Sequence, residues 1–99
     1  MSKPVLRSKL IHPSGDIEEQ VIWSVPKSTE NPDGIRYRLV YVRNQKVLVL
    51  YDNHHPKGHH KHIKNHELSY RYQGIEQLII DFDKDVEEVK GHEDPGNKN

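Results

Sequence analysis

The sequence of 99 residues contains no cysteine and no alanine. Without cysteine, the chain can hold no disulfide framework, no thiol nucleophile and no cysteine-based zinc or iron–sulfur site. No apolar run reaches the roughly 18–20 residues of a membrane span, and no signal-peptide pattern opens the chain, so we expect a cytoplasmic protein without a membrane partner. Without alanine, the apolar residues are large, and 17 of them are Val or Ile, which favours a small, strand-rich core.

The chain also lacks net charge, because 15 Lys and Arg balance 15 Asp and Glu. The balance hides a split: residues 1–75 carry a net charge of +5 and residues 76–99 a net charge of −5. Six of the eight histidines fall between His54 and His66. The split indicates either an acidic solvated helix beside an ordinary surface, or a basic face for a polyanion.

The apolar pattern predicts an α+β domain. Strands are predicted at residues 5–11, 17–25, 35–43, 46–51 and, as a short last strand, 67–72. The polar stretch 52–66 predicts a loop or an irregular strand. Apolar residues at helical spacing from Ile75 to Val89 predict an amphipathic helix that ends near Gly91. We therefore expect an antiparallel sheet of four to five strands with one C-terminal helix packed on one face, in a single domain of residues 1–90 before a disordered tail of residues 91–99.

The histidine-rich stretch holds the residues with the most distinctive chemistry. Imidazole changes protonation near neutral pH, so such a cluster can bind a metal, supply a general acid and base, or simply be solvated. His60 and His62 would project to the same side of an extended segment and could bind a divalent ion with Asp52 or His55. The spacing is typical of no particular metal site, so we expect no metal and no other cofactor.

Cleavage of RNA without a metal needs a base for the 2′-hydroxyl, an acid for the leaving 5′-oxygen and a cation at the phosphate. Imidazoles suit the first two roles and Lys or Arg the third, and residues 57–62 (KGHHKH) supply all of them. Nearby aromatic side chains could stack on unpaired bases, and nearby arginines could contact phosphates. These candidates are Tyr51, Tyr70, Tyr72, Arg36, Arg38 and Arg71.

Several ordered blocks resemble the TumE-type toxins of prokaryotic toxin–antitoxin modules. The main block is Tyr51-Asp52-Asn53 followed by Lys57-Gly58-x-His60-x-His62. Further blocks, which extend the resemblance from about Leu10 to Val89, are residues 17–23 (IEEQVIW), 37–41 (YRLVY), 70–72 (YRY) and 77–82 (QLIIDF). The sequence departs from the pattern by its additional histidines His54, His55 and His59.

The resemblance implies a small cytoplasmic toxin that is encoded beside a helix-turn-helix antitoxin and neutralised by it. The family's polar motif lies on Asp52, Asn53, Lys57, His60 and His62 in this sequence. The additional imidazoles leave open which pair would act as acid and base.

Combining the residues with the resemblance, we predict a toxin that cleaves RNA phosphodiesters without a metal. The assigned roles are acid and base for His60 and His62, phosphate binding for Lys57 and Arg71, orientation of an imidazole for Asp52, and substrate binding for Tyr51, Asn53, Tyr70, Tyr72, Arg36 and Arg38. Three alternatives are a non-enzymatic module that binds protein or nucleic acid, a divalent-metal-dependent nuclease with ligands His60, His62 and Asp52, and a toxin that transfers a nucleotide.

Overall fold

The computed structural model describes residues 2–54 and 56–93, with side chains as far as residue 91. The elements are the strands β1 (Lys3–Ile11), β2 (Ile17–Ser24), β3 (Ile35–Arg43), β4 (Lys46–Asp52), β5 (His60–Ile63) and β6 (His66–Ser69), and the helix α1 (Ile75–Glu93). The strands follow one another across a single sheet in chain order, and every neighbouring pair is antiparallel. The α+β class is therefore confirmed, but the predicted count of four to five strands is wrong, because the sheet has six.

The additional strand arises in the stretch for which the sequence predicts a loop or an irregular strand. Residues 60–63 pair with β4 on one side and with β6 on the other, so the backbone groups of this polar segment enter the ladder. Ser69 ends β6, three residues earlier than predicted, and the connection to the helix begins at Tyr70. His60 and His62 thus lie on a strand, where neighbouring backbone restricts their orientation, and not in a loop.

A two-residue turn joins β3 to β4. Asn44 and Gln45 have φ values of 50° and 68°, and two successive positive values are what a type I′ hairpin turn requires. The register shifts by one residue between Tyr41 and Val42, and beyond this shift Arg38 lies opposite Asp52 and Leu39 opposite Tyr51. The predicted hairpin across Asn44 and Gln45 is confirmed.

One face of the sheet forms the hydrophobic core with α1, which lies against β4. Alternation along the strands sends every second side chain to this face. The sheet contributes the buried residues Ile22, Tyr37, Leu39, Tyr41, Val49 and Tyr51, and the helix contributes Leu78, Phe82, Val86 and Val89. The ring of Phe82 meets the ring of Tyr51 edge to face, with centroids 5.7 Å apart. The prediction of one helix on one face is confirmed.

Acidic residues of α1 bind polar groups of the sheet. The Tyr51 hydroxyl donates a hydrogen bond to Asp85, and Lys61 Nζ lies 3.0 Å from the same carboxylate. The Tyr70 hydroxyl donates to Asp81 Oδ2 at 2.6 Å. Burial and the Asp85 contact raise the pKa of Tyr51, so this hydroxyl remains a donor. Two acidic residues of the C-terminal segment, Asp81 and Asp85, therefore stabilise the packing of the helix on the sheet.

Beyond Lys90, the helix continues through Gly91 to Glu93, two residues past the predicted end. The predicted disordered tail lies largely outside the described residues, which end at residue 93. Within the described part of the chain, no helix has both the length and the apolar character needed to cross a membrane.

Replacement of Phe82 by alanine is expected to lower the free energy of unfolding by about 3–5 kcal/mol, because a fully buried aromatic side chain is lost and a cavity remains. Urea denaturation followed by circular dichroism measures the change. The matched control is Ile80→Ala on the exposed side of the same helix, for which we expect a change of about 0.5 kcal/mol or less. Equal losses for the two variants would contradict the assignment of the core face.

Candidate functional site

Four polar side chains meet where β5 and β6 pair. His62 lies directly opposite Glu67 in the register, and the rings of His60 and His62 have centroids 5.4 Å apart. Lys57, from the preceding loop, places Nζ 3.0 Å from both carboxylate oxygens of Glu67. A shallow pocket of about 450 Å³ opens between Lys57, His60 and Glu67. We name Lys57, His60, His62 and Glu67 the imidazole cluster.

The tautomer of His60 follows from its hydrogen bond. Its Nδ1 lies 2.9 Å from the carbonyl oxygen of Gly58, and a carbonyl oxygen can only accept. Nδ1 therefore carries the proton, and Nε2 of the neutral ring keeps its lone pair. Gly58 has a φ of +72°, and a Cβ atom added there would meet no heavy atom of the described chain within 4 Å beyond its chain neighbours. The left-handed backbone, and not a lack of space, is therefore the reason for glycine at this position.

The carboxylate of Glu67 connects the cation and the second imidazole. Its Oε1 lies 3.9 Å from His62 Nε2, and the hydrogen bonds from Lys57 lower the pKa of Glu67. Glu67 is exposed, so an incoming anion can compete with it for Lys57. An imidazole whose Nδ1 is hydrogen-bonded, a second imidazole beside a carboxylate and an ammonium group that can leave Glu67 for an anion are suited to proton transfer at a phosphate.

The same residues could also hold a cation. One ligand atom from each of His60, His62 and Glu67 lies within 4.8 Å of the others, and the Nδ1 bond of His60 leaves the Nε2 lone pair available for coordination. The predicted third ligand is Asp52, which lies opposite His60 but whose Oδ1 accepts the His54 backbone N–H at 2.6 Å. In the described chain, Glu67 completes the group of donors and Asp52 does not.

A groove of about 690 Å³ crosses the face of the sheet that α1 leaves uncovered. We name it the open-face groove. Among the side chains that line it are Glu19, Val21, Trp23, Arg36, Arg38 and Asp52. The structure thus brings both predicted arginines to one surface with Asp52. Through Asp52, which lies opposite His60, this surface adjoins the imidazole cluster.

Three of the predicted substrate-binding residues have structural roles instead. Tyr51 is fully buried and cannot stack on a base. Tyr70 packs edge to face on Tyr51, at a centroid distance of 4.9 Å, and bonds to the helix. Asn53 is buried, accepts a hydrogen bond from Tyr37 N at 2.9 Å and donates to the Ile35 carbonyl at 2.8 Å. Asn53 therefore extends the pairing of β3 beyond the end of β4.

The additional histidines differ from those of the imidazole cluster. His59 Nε2 lies 2.8 Å from Asp33 Oδ2 and its Nδ1 lies 2.8 Å from the Tyr37 hydroxyl. Its ring stacks on Tyr72 with centroids 4.8 Å apart and planes 4° apart. Burial raises the pKa of Tyr37, so this hydroxyl stays protonated. The contacts of His59 with Asp33, Tyr37 and Tyr72 thus anchor the histidine-rich stretch 54–66 against the sheet.

The remaining predicted residues are more loosely placed. His54 Nδ1 lies 2.9 Å from Arg36 Nη2, and His55 falls outside the described residues. Arg71 is exposed, and no contact within residues 2–54 and 56–93 joins it to the imidazole cluster. The predicted phosphate-binding role is therefore supported by position for Lys57 and not for Arg71.

Glu67 and Trp23 line the imidazole cluster and the open-face groove, and they are not among the site residues predicted from the sequence. Glu67 lies opposite His62 because β5 pairs with β6. A prediction that treats residues 52–66 as a loop does not include this pairing. The available signal is a possible hairpin: two short segments, HKHI and HELS, separated by Lys64 and Asn65. Trp23 follows the core residue Ile22, so strand alternation alone directs it to the opposite face.

Replacement of Asn53 by alanine is expected to destabilise the protein by about 1–3 kcal/mol, because the Tyr37 N–H and the Ile35 carbonyl lose their buried partner. Thermal unfolding followed by circular dichroism measures the effect. The control is Asn65→Ala in the exposed turn between β5 and β6, where we expect little change. If Asn53→Ala unfolds at the temperature of the unmodified protein, the structural role of Asn53 is wrong.

Comparison with known proteins identifies a family. The family model described as Toxin TumE matches residues 2–90 of the 99-residue chain. No curated protein matches, and no solved structure matches. The match spans the whole sheet and most of α1, and it confirms the resemblance seen in the motif around His60 and His62. The chain belongs to the TumE toxin family, and this makes it the toxin component of a toxin–antitoxin module.

Proposed function

We propose that this toxin cleaves RNA without a metal, through the imidazole cluster. The observation that carries the proposal is the meeting of two imidazoles, an ammonium group and a carboxylate where β5 pairs with the edge strand β6. His60 is largely buried and reaches solvent through the shallow pocket that it lines with Lys57 and Glu67. His60 has a free Nε2 lone pair in its neutral form, which suits a general base. His62 Nε2 lies 3.9 Å from Glu67 Oε1, and an imidazole beside a carboxylate suits a general acid.

The proposed reaction is an internal phosphoryl transfer. His60 Nε2 takes the proton of the ribose 2′-hydroxyl, and the 2′-oxygen forms a bond to phosphorus. The bond from phosphorus to the 5′-oxygen breaks, and His62 gives its proton to that oxygen. The products are a 2′,3′-cyclic phosphate and a 5′-hydroxyl end. Lys57 moves from Glu67 to the phosphate oxygens and stabilises the charge that develops on them.

The predicted partners belong to the same proposal. An RNA target implies a toxin that acts in the cytoplasm, and the neutralising partner is a helix-turn-helix antitoxin. The net positive charge of residues 1–75 supports an RNA partner. Asp81 and Asp85 would not repel the RNA, because they accept hydrogen bonds from Tyr70 and Tyr51 on the helix side of the sheet.

A second candidate function is metal-dependent cleavage by the same cluster. The observation that favours it is the closeness of the ligand atoms of His60, His62 and Glu67. Three ligands with an open position are typical of catalytic zinc sites. In this alternative the imidazoles would bind the metal and would not transfer protons.

In buffer that contains EDTA, the purified protein is expected to cleave total RNA. His60→Ala and His62→Ala should each lower the cleavage rate about 100- to 10,000-fold, because a positioned acid or base is lost. Gel electrophoresis of the RNA measures the rate, and mapping of the ends identifies the cyclic phosphate. The matched control is His66→Ala, at the exposed start of β6, which should cleave at the normal rate.

Each other outcome of this experiment has a defined meaning. Intact RNA in EDTA with cleavage restored by zinc or manganese would favour the metal-dependent alternative. Intact RNA under both conditions, or equal cleavage by all three histidine variants, would contradict an enzymatic role for the cluster. The toxin would then be a binding module with a histidine-rich surface.

The cleavage rate is expected to have a bell-shaped pH dependence centred near neutrality, because one imidazole must be neutral and the other protonated. The hydrogen bonds from Lys57 lower the pKa of Glu67, so its carboxylate stays ionised to a lower pH than an ordinary glutamate. It loses its charge only as the pH falls through that lowered pKa. The acid limb therefore reports the base imidazole. Rates measured from about pH 5 to 9 test this, and a flat profile would contradict the assignment.

A further inference from the structure

We propose that the open-face groove binds a single-stranded segment of the RNA substrate, with Trp23 stacked on an unpaired base and Arg38 on a phosphate. The inference rests on the proposed function, since it names how the substrate lies beside the imidazole cluster. It assigns a role to Trp23, the only tryptophan in the sequence.

Trp23 has an uncommitted ring. The residue lines the groove and is partly exposed, while its neighbour Ile22 is fully buried in the core. Within the described residues, the indole makes no hydrogen bond, aromatic contact or cation–π contact. Other large aromatic side chains, such as Tyr37, Tyr51 and Tyr70, pack against another aromatic ring. Trp23 is therefore available to stack on a planar ligand.

Arg38 is an uncommitted cation on the same surface. Its side chain is exposed, and no described residue forms a hydrogen bond or an ion pair with it. Arg36, opposite Trp23 in the register, is held by His54 through a bond of 2.9 Å. The groove thus offers one free and one positioned guanidinium group, and guanidinium groups bind phosphate oxygens in a bidentate manner.

The register connects the groove to the imidazole cluster. Arg38 lies opposite Asp52, and Asp52 lies opposite His60. Opposed residues of an antiparallel sheet share a face, and neighbouring strands are about 4.8 Å apart, so β2 and β5 are separated by roughly 14 Å. A single strand that crosses from Trp23 on β2 to His60 on β5 would pass Arg38. The path runs from a base-stacking position, over a phosphate contact, to the proposed point of cleavage.

The groove favours a nucleic acid strand over a purely anionic ligand. Val21 adds an apolar side chain to the lining, and the carboxylates of Glu19 and Asp52 add hydrogen-bond acceptors. Carboxylates accept hydrogen bonds from exocyclic amino groups of bases. The groove should therefore bind cytosine- or adenine-containing strands more tightly than uracil strands. A duplex should bind poorly, because its bases are already stacked and paired.

The single tryptophan allows a direct test by fluorescence. The protein is titrated with a single-stranded 2′-deoxyoligonucleotide of about eight nucleotides, which lacks the 2′-hydroxyl and cannot be cleaved. We expect saturable quenching of the Trp23 emission by oligo-dC, weaker quenching by oligo-dU and little quenching by a duplex. No quenching at saturating binding, or equal quenching by duplex and single strand, would overturn the proposal.

Variants test the two contacts separately by fluorescence anisotropy of labelled oligo-dC. Trp23→Ala should weaken binding about ten-fold and Trp23→Phe less, since a phenyl ring still stacks. Arg38→Ala should weaken binding and lower the slope of log affinity against log salt concentration by about one. The control is Lys84→Ala, an exposed cation on α1, which should bind normally. Circular dichroism establishes that each variant is folded, and unchanged affinity in folded Trp23→Ala and Trp23→Phe would overturn the proposal.

The groove and the enzymatic proposal can fail separately. Quenching by oligo-dC without cleavage of RNA would retain the groove and reject the ribonuclease. Cleavage of RNA by folded Trp23→Ala and Arg38→Ala at the normal rate and with normal affinity would retain the ribonuclease and reject the groove.

Discussion

The packing of α1 on one face of the sheet is the interaction on which the rest of the structure depends. Phe82 fills the space over Tyr51, and Asp85 receives both the Tyr51 hydroxyl and the Lys61 ammonium group. In the described part of the chain α1 is the only helix, so it covers one face of the sheet and leaves the other face open. The core and the candidate site are therefore separated by the thickness of a single sheet, and alternate residues of β3, β4 and β5 serve one or the other.

This arrangement explains the charge distribution. The acidic residues near the C-terminus would repel a polyanion if they lay among Arg36 and Arg38. Asp81 and Asp85 instead bond to Tyr70 and Tyr51 on the helix side. The zero net charge of the chain is thus a cancellation between two segments, and the open-face groove carries Arg36 and Arg38 together with the carboxylates of Glu19 and Asp52.

Much of the fold can be predicted from the sequence, because alternation and helical spacing are local signals. The pattern around Tyr37 and Leu39 predicts the right strand, and the apolar spacing from Ile75 to Val89 predicts the helix. Strands β5 and β6 are harder to predict, since they have four residues each and few apolar side chains, and they are defined by their pairing, β5 with β4 and β6 with β5. The site residues also differ in how far the sequence predicts them. His60 and His62 are neighbours in sequence, whereas Glu67 lies beside them only because β5 pairs with β6.

The meander order of the strands has a consequence for how the protein folds. Each strand pairs with the one made just before it, so the sheet can grow by local hairpin closure as the chain leaves the ribosome. The helix that covers Leu39, Tyr41 and Val49 is made after all six strands. Until α1 emerges, that apolar face has no cover from the strands already made and is open to association. Packing of α1 on this face therefore removes the apolar surface that the strands alone leave exposed.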